Sequence, residues 1–490
     1  MDFLTNPNTS GLGVAGEMSQ GDLAELQKSL QAGYGSDMAT LQGGSALRIQ
    51  SLDTTLQATV QDNQHFVLFN ALPKPKATAV LDEWTEQSSI GGFLGDSFNT
   101  QDGSAAETHG EYARMVGKVK YMTTYRKIPI VLDRQNNLAD PVALETVNGA
   151  KQLLSSIEFS LFEGDDEVTP LAFAGIRKQI ESLNSADHVI DLDGQPLDKV
   201  DPIMKAAETV FGFGNFGKIT DLYMPPSVQT DLNNHLDPAF RVALDSTPNS
   251  VAYGTHVRAI QTSWGAIATK NDVFIRDEKM KLPFEVRNET HQALAVDNNV
   301  FKPQAVTAIA EVDGGASSRW TAARAGDYVY FVTGINQNGE SQGVFPTGGA
   351  ATVAAGGKVV ISISASASGK ETGYVIYRGR QDAATQNLRD LREMVRVPKA
   401  AGGTTVYQDI CRDIPGSTTA FALNLSASDH AIAWRQFMPM LKIPMAAVNS
   451  PIIPWLQMIC GYLRISKRNQ HVVLTGIVPR GASWKPFKAA

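Results

Sequence analysis

Gly212-Phe213-Gly214-Asn215-Phe216-Gly217 has the GxGxxG spacing of a dinucleotide-binding turn. That turn needs a strand before it and a helix after it, so that the helix N-terminus meets the pyrophosphate. Here an Asp-capped helical pattern with Pro at its first turn, Asp201-Pro202 to Phe211, comes first, and an apolar strand pattern, Lys218 to Met224, follows. The inverted order predicts a glycine-rich helix-to-strand loop. Gly339-Glu340-Ser341-Gln342-Gly343 has the GxSxG spacing of a nucleophile elbow, which needs a strand, a sharp turn and a helix. Val344-Phe345-Pro346-Thr347-Gly348-Gly349 cannot start a helix, so a hairpin turn is expected. Asp191-Leu192-Asp193-Gly194, with Asp198 and Asp201, resembles part of a calcium loop but lacks Gly at position 6 and Glu at position 12. A turn with helix caps is the expectation there.

Glu163-Gly164-Asp165-Asp166-Glu167 puts acids at a helix C-terminus, where the macrodipole disfavours them. A solvated loop, a nearby cation or a basic residue of a partner would each satisfy the pattern. The eight histidines form no HxH or HExxH pair. Gly356-Gly357-Lys358-Val359 is not a P-loop, since no Ser or Thr follows the Lys. Cys411 and Cys460 have no metal-ligand spacing and are expected to be reduced, structural thiols. No catalytic, cofactor or metal constellation emerges, and the expectation is a protein that is not an enzyme and needs no cofactor.

One polar pattern remains. Arg114, Lys118, Lys120, Arg126 and Lys127 lie along one strand-like run, with Tyr112, Tyr121 and Tyr125 interleaved. Such a strip suits a solvated strand face, contact with a neighbouring copy, or non-specific contact with nucleic acid. The candidates for contact between copies are Trp84, Arg114, Lys118, Lys120, Tyr121, Arg126 and Lys127.

The elements that must carry this strip are legible as periods. Residues 1 to about 35 are arm-like, with a short amphipathic helix from Asp22, and a looser helical pattern covers about 45–60. Ala77 to Thr85 and Glu111 to Leu132 read as strands around a Gly/Ser/Asp-rich tip at 88–110. A two-stranded hairpin is at best marginal alone in water, so it must lie on its own domain or on another copy. Asp140-Pro141 then starts a helix whose apolar face is Val147, Ala150, Leu154, Ile157 and Leu161, with Gly164 as its stop. Gly149 inside it suggests close approach of another backbone. Residues 170–285 alternate helix and strand, with a hairpin from His256 to Ile275. Residues 302–425 carry short strands and many turns, the texture of a β-sandwich, and a final hairpin spans Gly461 to Val478.

Composition sets the class. The 490 residues are 43% hydrophobic and only 19% charged, with net charge −7. A charge share below the usual ~25% leans toward a subunit whose surface is covered by partners. The negative balance argues against a dedicated nucleic-acid binder. The most apolar stretch, Phe437 to Leu463, holds prolines at 439, 444, 451 and 454, so it is no membrane helix. A soluble chain made in a cytoplasm, with no membrane partner, is expected.

Several segments resemble the major capsid protein of tailed bacteriophages, in its large-myovirus branch. They are Lys28-Ser29-Leu30-Gln31-Ala32-Gly33-Tyr34-Gly35, Gly43-Gly44-Ser45-Ala46-Leu47-Arg48, Ile157 to Asp165, Phe173-Ala174-Gly175-Ile176 and Thr220-Asp221-Leu222-Tyr223-Met224-Pro225. The resemblance implies an α+β capsid fold: N-terminal arm and helices at 1–75, extended loop at 76–128, spine helix and peripheral domain at 129–170 with 430–490, and axial domain at 171–301. Residues 302–429 would be an inserted immunoglobulin- or fibronectin-like β-sandwich. It implies self-assembly into hexamers and pentamers of an icosahedral shell around double-stranded DNA. Portal, scaffold, decoration or minor capsid proteins would be partners, and DNA would be held non-specifically. The place would be the virion capsid, with the host cytoplasm during assembly. Ala15-Gly16-Glu17 resembles the small-x-Glu sites cut by phage maturation proteases. A cell-surface or glycan-binding adhesin built on the sandwich is the competing reading.

Overall fold

The computed structural model describes residues 63–92, 98–104, 107–134, 140–235, 258–277, 301–337, 339–383, 386–426, 431–447 and 450–488. The arm, the helical patterns before residue 60 and Ala15-Gly16-Glu17 lie outside the described residues.

The long helix runs Pro141–Glu163, as its proline start and apolar spacing predict. Its buried stripe is rotated from the expected face: it passes through Gly149, Leu153, Ile157, Glu158, Leu161 and Phe162, while Val147 is exposed. Apolar counting misses this because two stripe positions are a glycine and a carboxylate. A Cβ on Gly149 would lie 1.8 Å from Gln457 Oε1, so here the glycine admits a neighbouring strand's side chain. Gly164 ends the helix by close contact, since its Cβ would meet Ser160 O at 2.5 Å and Phe173 O at 2.6 Å.

Against this helix lies a three-stranded antiparallel sheet with Ile452–Ile465 between Ile432–Pro444 and Lys120–Pro129. A six-stranded mixed sheet follows the order Val189–Asp191, Val472–Ile477, Thr418–Leu423, Asp221–Met224, Gly265–Asn271, Ala259–Thr262. Side chains alternate across it with the two-residue period of a strand. Leu222, Met224, Ala420, Ala422, Val472 and Leu474 join the core under helix Asp201–Phe211. Tyr223, Phe421, Leu423 and Val473 join the core of the long helix. Two central strands come from segments expected elsewhere, one at the end of the insert and one in the peripheral return. Both are apolar runs buried on both faces, which suits central positions. The strands Ile452–Ile465 and Val472–Ile477 are therefore no hairpin; they belong to different sheets.

Between Val306 and Asp409 the described elements are strands, apart from the short 3-10 helix Leu388–Asp390. One sheet holds Val306–Glu311, Lys358–Ser364 and Thr404–Asp409; another holds Gly339–Glu340, Tyr330–Asn336, Gly373–Arg378 and Arg392–Pro398. They share a core of Val306, Val359 and Ile361 from one side and Tyr330, Val332 and Ile376 from the other. The C-terminal Val478 and Phe487 pack into that same core.

The loop Gly212 to Gly217 joins a helix to a strand, as its order predicts. Ser341 is buried and bonded to backbone: it donates to Gln342 O at 2.8 Å and accepts the Gly334 N–H at 2.9 Å. It is a hairpin residue. Cys411 and Cys460 are free and buried.

Candidate functional site

The strands Leu81–Ser89 and Glu111–Lys118 form an antiparallel ribbon of their own. Its register pairs Asp82 with Gly117 and Trp84 with Met115 on one face. Leu81 and Lys118, Glu83 and Val116, Thr85 and Arg114, Gln87 and Tyr112 share the other.

The first face is rooted in the chain itself. Asp82 accepts two hydrogen bonds from Arg435, at 2.6 and 2.9 Å, and one from the Tyr462 hydroxyl at 2.7 Å. Burial alone would raise the Asp82 carboxyl, but these donors hold it below its ordinary range. A Cβ on Gly117 would lie 2.3 Å from the Tyr462 ring, so only glycine fits against that ring. Trp84 Nε1 donates to Glu86 at 2.6 Å, and the Arg464 guanidinium lies 5.7 Å from its indole. Asp82→Ala removes charged hydrogen bonds of about 1.5–3 kcal/mol and strands Arg435. Proteolysis within 81–118 is expected to speed up about tenfold or more. An unchanged cleavage rate would show that the root does not hold the ribbon.

The second face is open. Leu81, Tyr112 and Val116 are 54%, 68% and 53% exposed in a row, beside the Arg114–Glu83 ion pair at 2.8 Å and the exposed Lys118. Ile90 and Phe98, near the tip, are exposed as well.

The expected single strand from Glu111 to Leu132 is broken at Val119, which is buried and donates its N–H to Val80 O at 2.9 Å. There the chain leaves the ribbon for the three-stranded sheet, and Ile130–Arg134 is helical. Along Lys120–Pro129 burial alternates. Lys120 donates to Pro170 O at 2.6 Å, and Arg126 binds Glu145 at 3.0 Å and Gln152 at 2.6 Å. Tyr121, Tyr125 and Lys127 point outward. The basic strip is thus divided between two sheets and two faces. Arg114, Lys118, Tyr121 and Lys127 are on open faces; Trp84, Lys120 and Arg126 are engaged within the chain. Leu81 and Val116 were missed as surface candidates, although the alternation Tyr112, Arg114, Val116, Lys118 carries the signal.

The chain is 25% identical over 440 residues to the major capsid protein of Staphylococcus phage S25-3, covering 87% of this chain and 89% of that protein. The major capsid protein of Staphylococcus phage K matches at the same identity and coverage. The putative major capsid protein of Enterococcus phage phiEF24C is 23% identical over the same shares. The chain is a relative of phage major capsid proteins. No family model matches it. The solved capsid of Myoviridae phage XM1 overlays at TM-score 0.45 and 9% identity, covering 91% of this chain and 100% of that one, a likeness too loose to carry weight. The adhesin reading finds no support among these relatives.

In this capsid-protein relative, both acidic turns are neutralised from within. Arg319 pairs with Asp191, and Arg324 binds Asp193 Oδ1 and its carbonyl, both at 2.8 Å. The positive groups at the calcium-like turn are two guanidinium groups of the all-β region. At the end of the long helix, Arg177 meets Glu163 at 3.2 Å, and Lys178 meets Asp165 at 3.4 Å and Glu167 at 2.7 Å. Among the described residues no cluster of acids, histidines or cysteines is arranged to hold a metal.

A cavity of about 100 Å³ opens beside this network, lined by Glu163, Arg177, Arg276, Glu393 and Arg396. Glu393 takes 2.9 Å bonds from both Arg276 and Arg396. Burial works against its charge, but these two arginines hold its carboxyl down at about 2. The strand Arg392–Pro398 is therefore tied by charge to Arg276, which follows the strand Gly265–Asn271. Among the described residues no helix is long and apolar enough to cross a membrane.

Proposed function

We propose that this chain is the major capsid subunit of a tailed phage. It would assemble as hexamers and pentamers into an icosahedral shell around double-stranded DNA. The observation that carries the reading is the match to curated major capsid proteins along 87% of the chain. The ribbon supports it: one face is rooted on Asp82 while the other offers Leu81, Tyr112 and Val116 to a neighbouring copy. Stable assemblies of this kind bury about 2,000 Å² or more per interface, which suits a chain with 19% charged residues.

In this reading 76–128 is the extended loop, 129–170 with the strands returning after 430 the peripheral domain and spine, and 171–301 the axial domain. Residues 302–429 are an immunoglobulin- or fibronectin-like insert on the outside of the shell, apart from the strand Thr418–Leu423, which joins the six-stranded sheet. Trp84, Arg114, Lys118, Lys120, Tyr121, Arg126 and Lys127 mark the region of contact between copies. Portal, scaffold, decoration or minor capsid proteins are further partners, and the net charge of −7 suits a container that does not grip its DNA. The subunit performs no enzymatic step. It is made in the host cytoplasm and ends in the virion.

Negative-stain microscopy of the expressed protein tests this directly. Closed shells or capsomers are expected. A protein that stays solitary at high concentration would overturn the reading.

A further inference from the structure

Glu158 is wholly enclosed on the long helix, at 0% exposure. Its Oε1 accepts the Leu68 N–H at 2.7 Å and its Oε2 the Phe69 N–H at 3.0 Å. Both amides belong to the short helix Val67–Ala71, so one carboxyl ties the segment Asn63–Leu72 to the long helix. A second carboxyl, Asp272, follows the strand Gly265–Asn271, is 1% exposed, and lies within hydrogen-bonding reach of Glu158. Asp272 Oδ1 accepts the Phe274 N–H at 2.8 Å, and its own N–H goes to Met224 O at 3.0 Å. Its Oδ2 is buried without a hydrogen-bond partner among the described residues; the Leu68 N–H, which also faces the Asp272 carboxyl, is bonded to Glu158. Two carboxylates in contact inside a core cannot both be ionised. One proton between them turns repulsion into a hydrogen bond and gives Oδ2 its partner.

We propose that Glu158 and Asp272 share one proton and form a latch that holds Asn63–Leu72 on the long helix, and that loss of this proton releases the segment. The latch belongs to the single chain and does not depend on the shell reading.

The charged and titratable groups around the pair do not replace the proton. From the latched segment and its continuation come His65, whose charge would favour an ionised Asp272, and Lys74, whose ammonium burial disfavours. From the six-stranded sheet come Tyr223, which burial and the acids Asp221, Glu158 and Asp272 keep protonated, and Asp221 itself. Burial raises both carboxyls of the pair, Glu158 to about 9. Once the latch opens, they return to ordinary values near ~4. Between about pH 5 and 9 the closed form therefore holds one more proton than the open form. The opening constant rises about tenfold per pH unit, and the latch is loosest in alkali.

Hydrogen exchange of the full chain, corrected for the base catalysis of exchange itself, tests this on peptides spanning Asn63–Leu72. Protection there is expected to fall about 50-fold from pH 7 to pH 9, while peptides of the six-stranded sheet do not follow. Asp272→Asn donates an amide N–H to Glu158 with no titrating proton, and its profile is expected to be flat. A flat wild-type profile, or an Asp272→Asn variant that keeps the wild-type slope, would overturn the latch. If that variant does not fold, the wild-type slope decides alone.

Discussion

Arg378→Ala is expected to destabilise the all-β region by about 3–5 kcal/mol, because it leaves a buried carboxylate without its cation. Arg378 and Asp409 both have fully buried side chains and meet at 2.6 Å. Asp409 also accepts the Tyr330 hydroxyl at 2.8 Å and the Cys411 N–H at 2.8 Å, so its carboxyl is enclosed by donors on several sides. The guanidinium lies 5.0 Å from the Trp320 ring, 5.2 Å from Tyr328 and 5.8 Å from Phe487 of the C-terminal tail. Alanine would lose these contacts as well as the charge. The double substitution Arg378→Met with Asp409→Asn should recover much of the loss, since it removes both charges and keeps the volume. The exposed Arg114–Glu83 pair is the contrast: breaking it should change stability by about 0–1 kcal/mol. The urea midpoint of the sandwich transition is the measurement. A midpoint for Arg378→Ala within error of wild type would mean that the ion pair does not hold this core.

The second large effect concerns assembly. Replacing residues 88–111 by an Asn-Gly turn, which then joins the paired Gln87 and Tyr112, should leave a folded chain that no longer closes shells. Asn-Gly is suited to joining the two ribbon strands tightly. The root remains: Asp82, Arg435, Tyr462 and Gly117 all lie outside the deleted stretch. What is lost is the outer end, with Ile90 and Phe98, both exposed in the single chain. A ribbon of two strands has little stability beyond its root. It is therefore expected to lie on another copy. Electron microscopy of wild-type and shortened chains decides: closed particles of normal size from the shortened chain would remove the ribbon from the assembly mechanism.

Legibility in the sequence followed the range of the forces involved. The helix Pro141–Glu163 was legible because Pro at its start and an apolar repeat act within a few residues. The loop at Gly212 and the hairpin at Gly339 were legible because each motif had to agree with its immediate flanks. Similar local reading failed at Val119, where one apparent strand serves two sheets. Nothing in that residue's type states that its neighbours pair with different partners.

Thus the amino-acid order by itself determined the local elements and the two-residue alternation of the ribbon. Tertiary structure alone decided which strands share a sheet: apolar runs such as Thr418–Leu423 and Val472–Ile477 announce burial but not a partner. It also decided which charges meet. Asp82 and Arg435 are 353 residues apart in sequence. Their pairing depends on the fold bringing two distant segments together in a partly dry place, where a carboxylate needs its donors. No spacing rule along the chain encodes that distance.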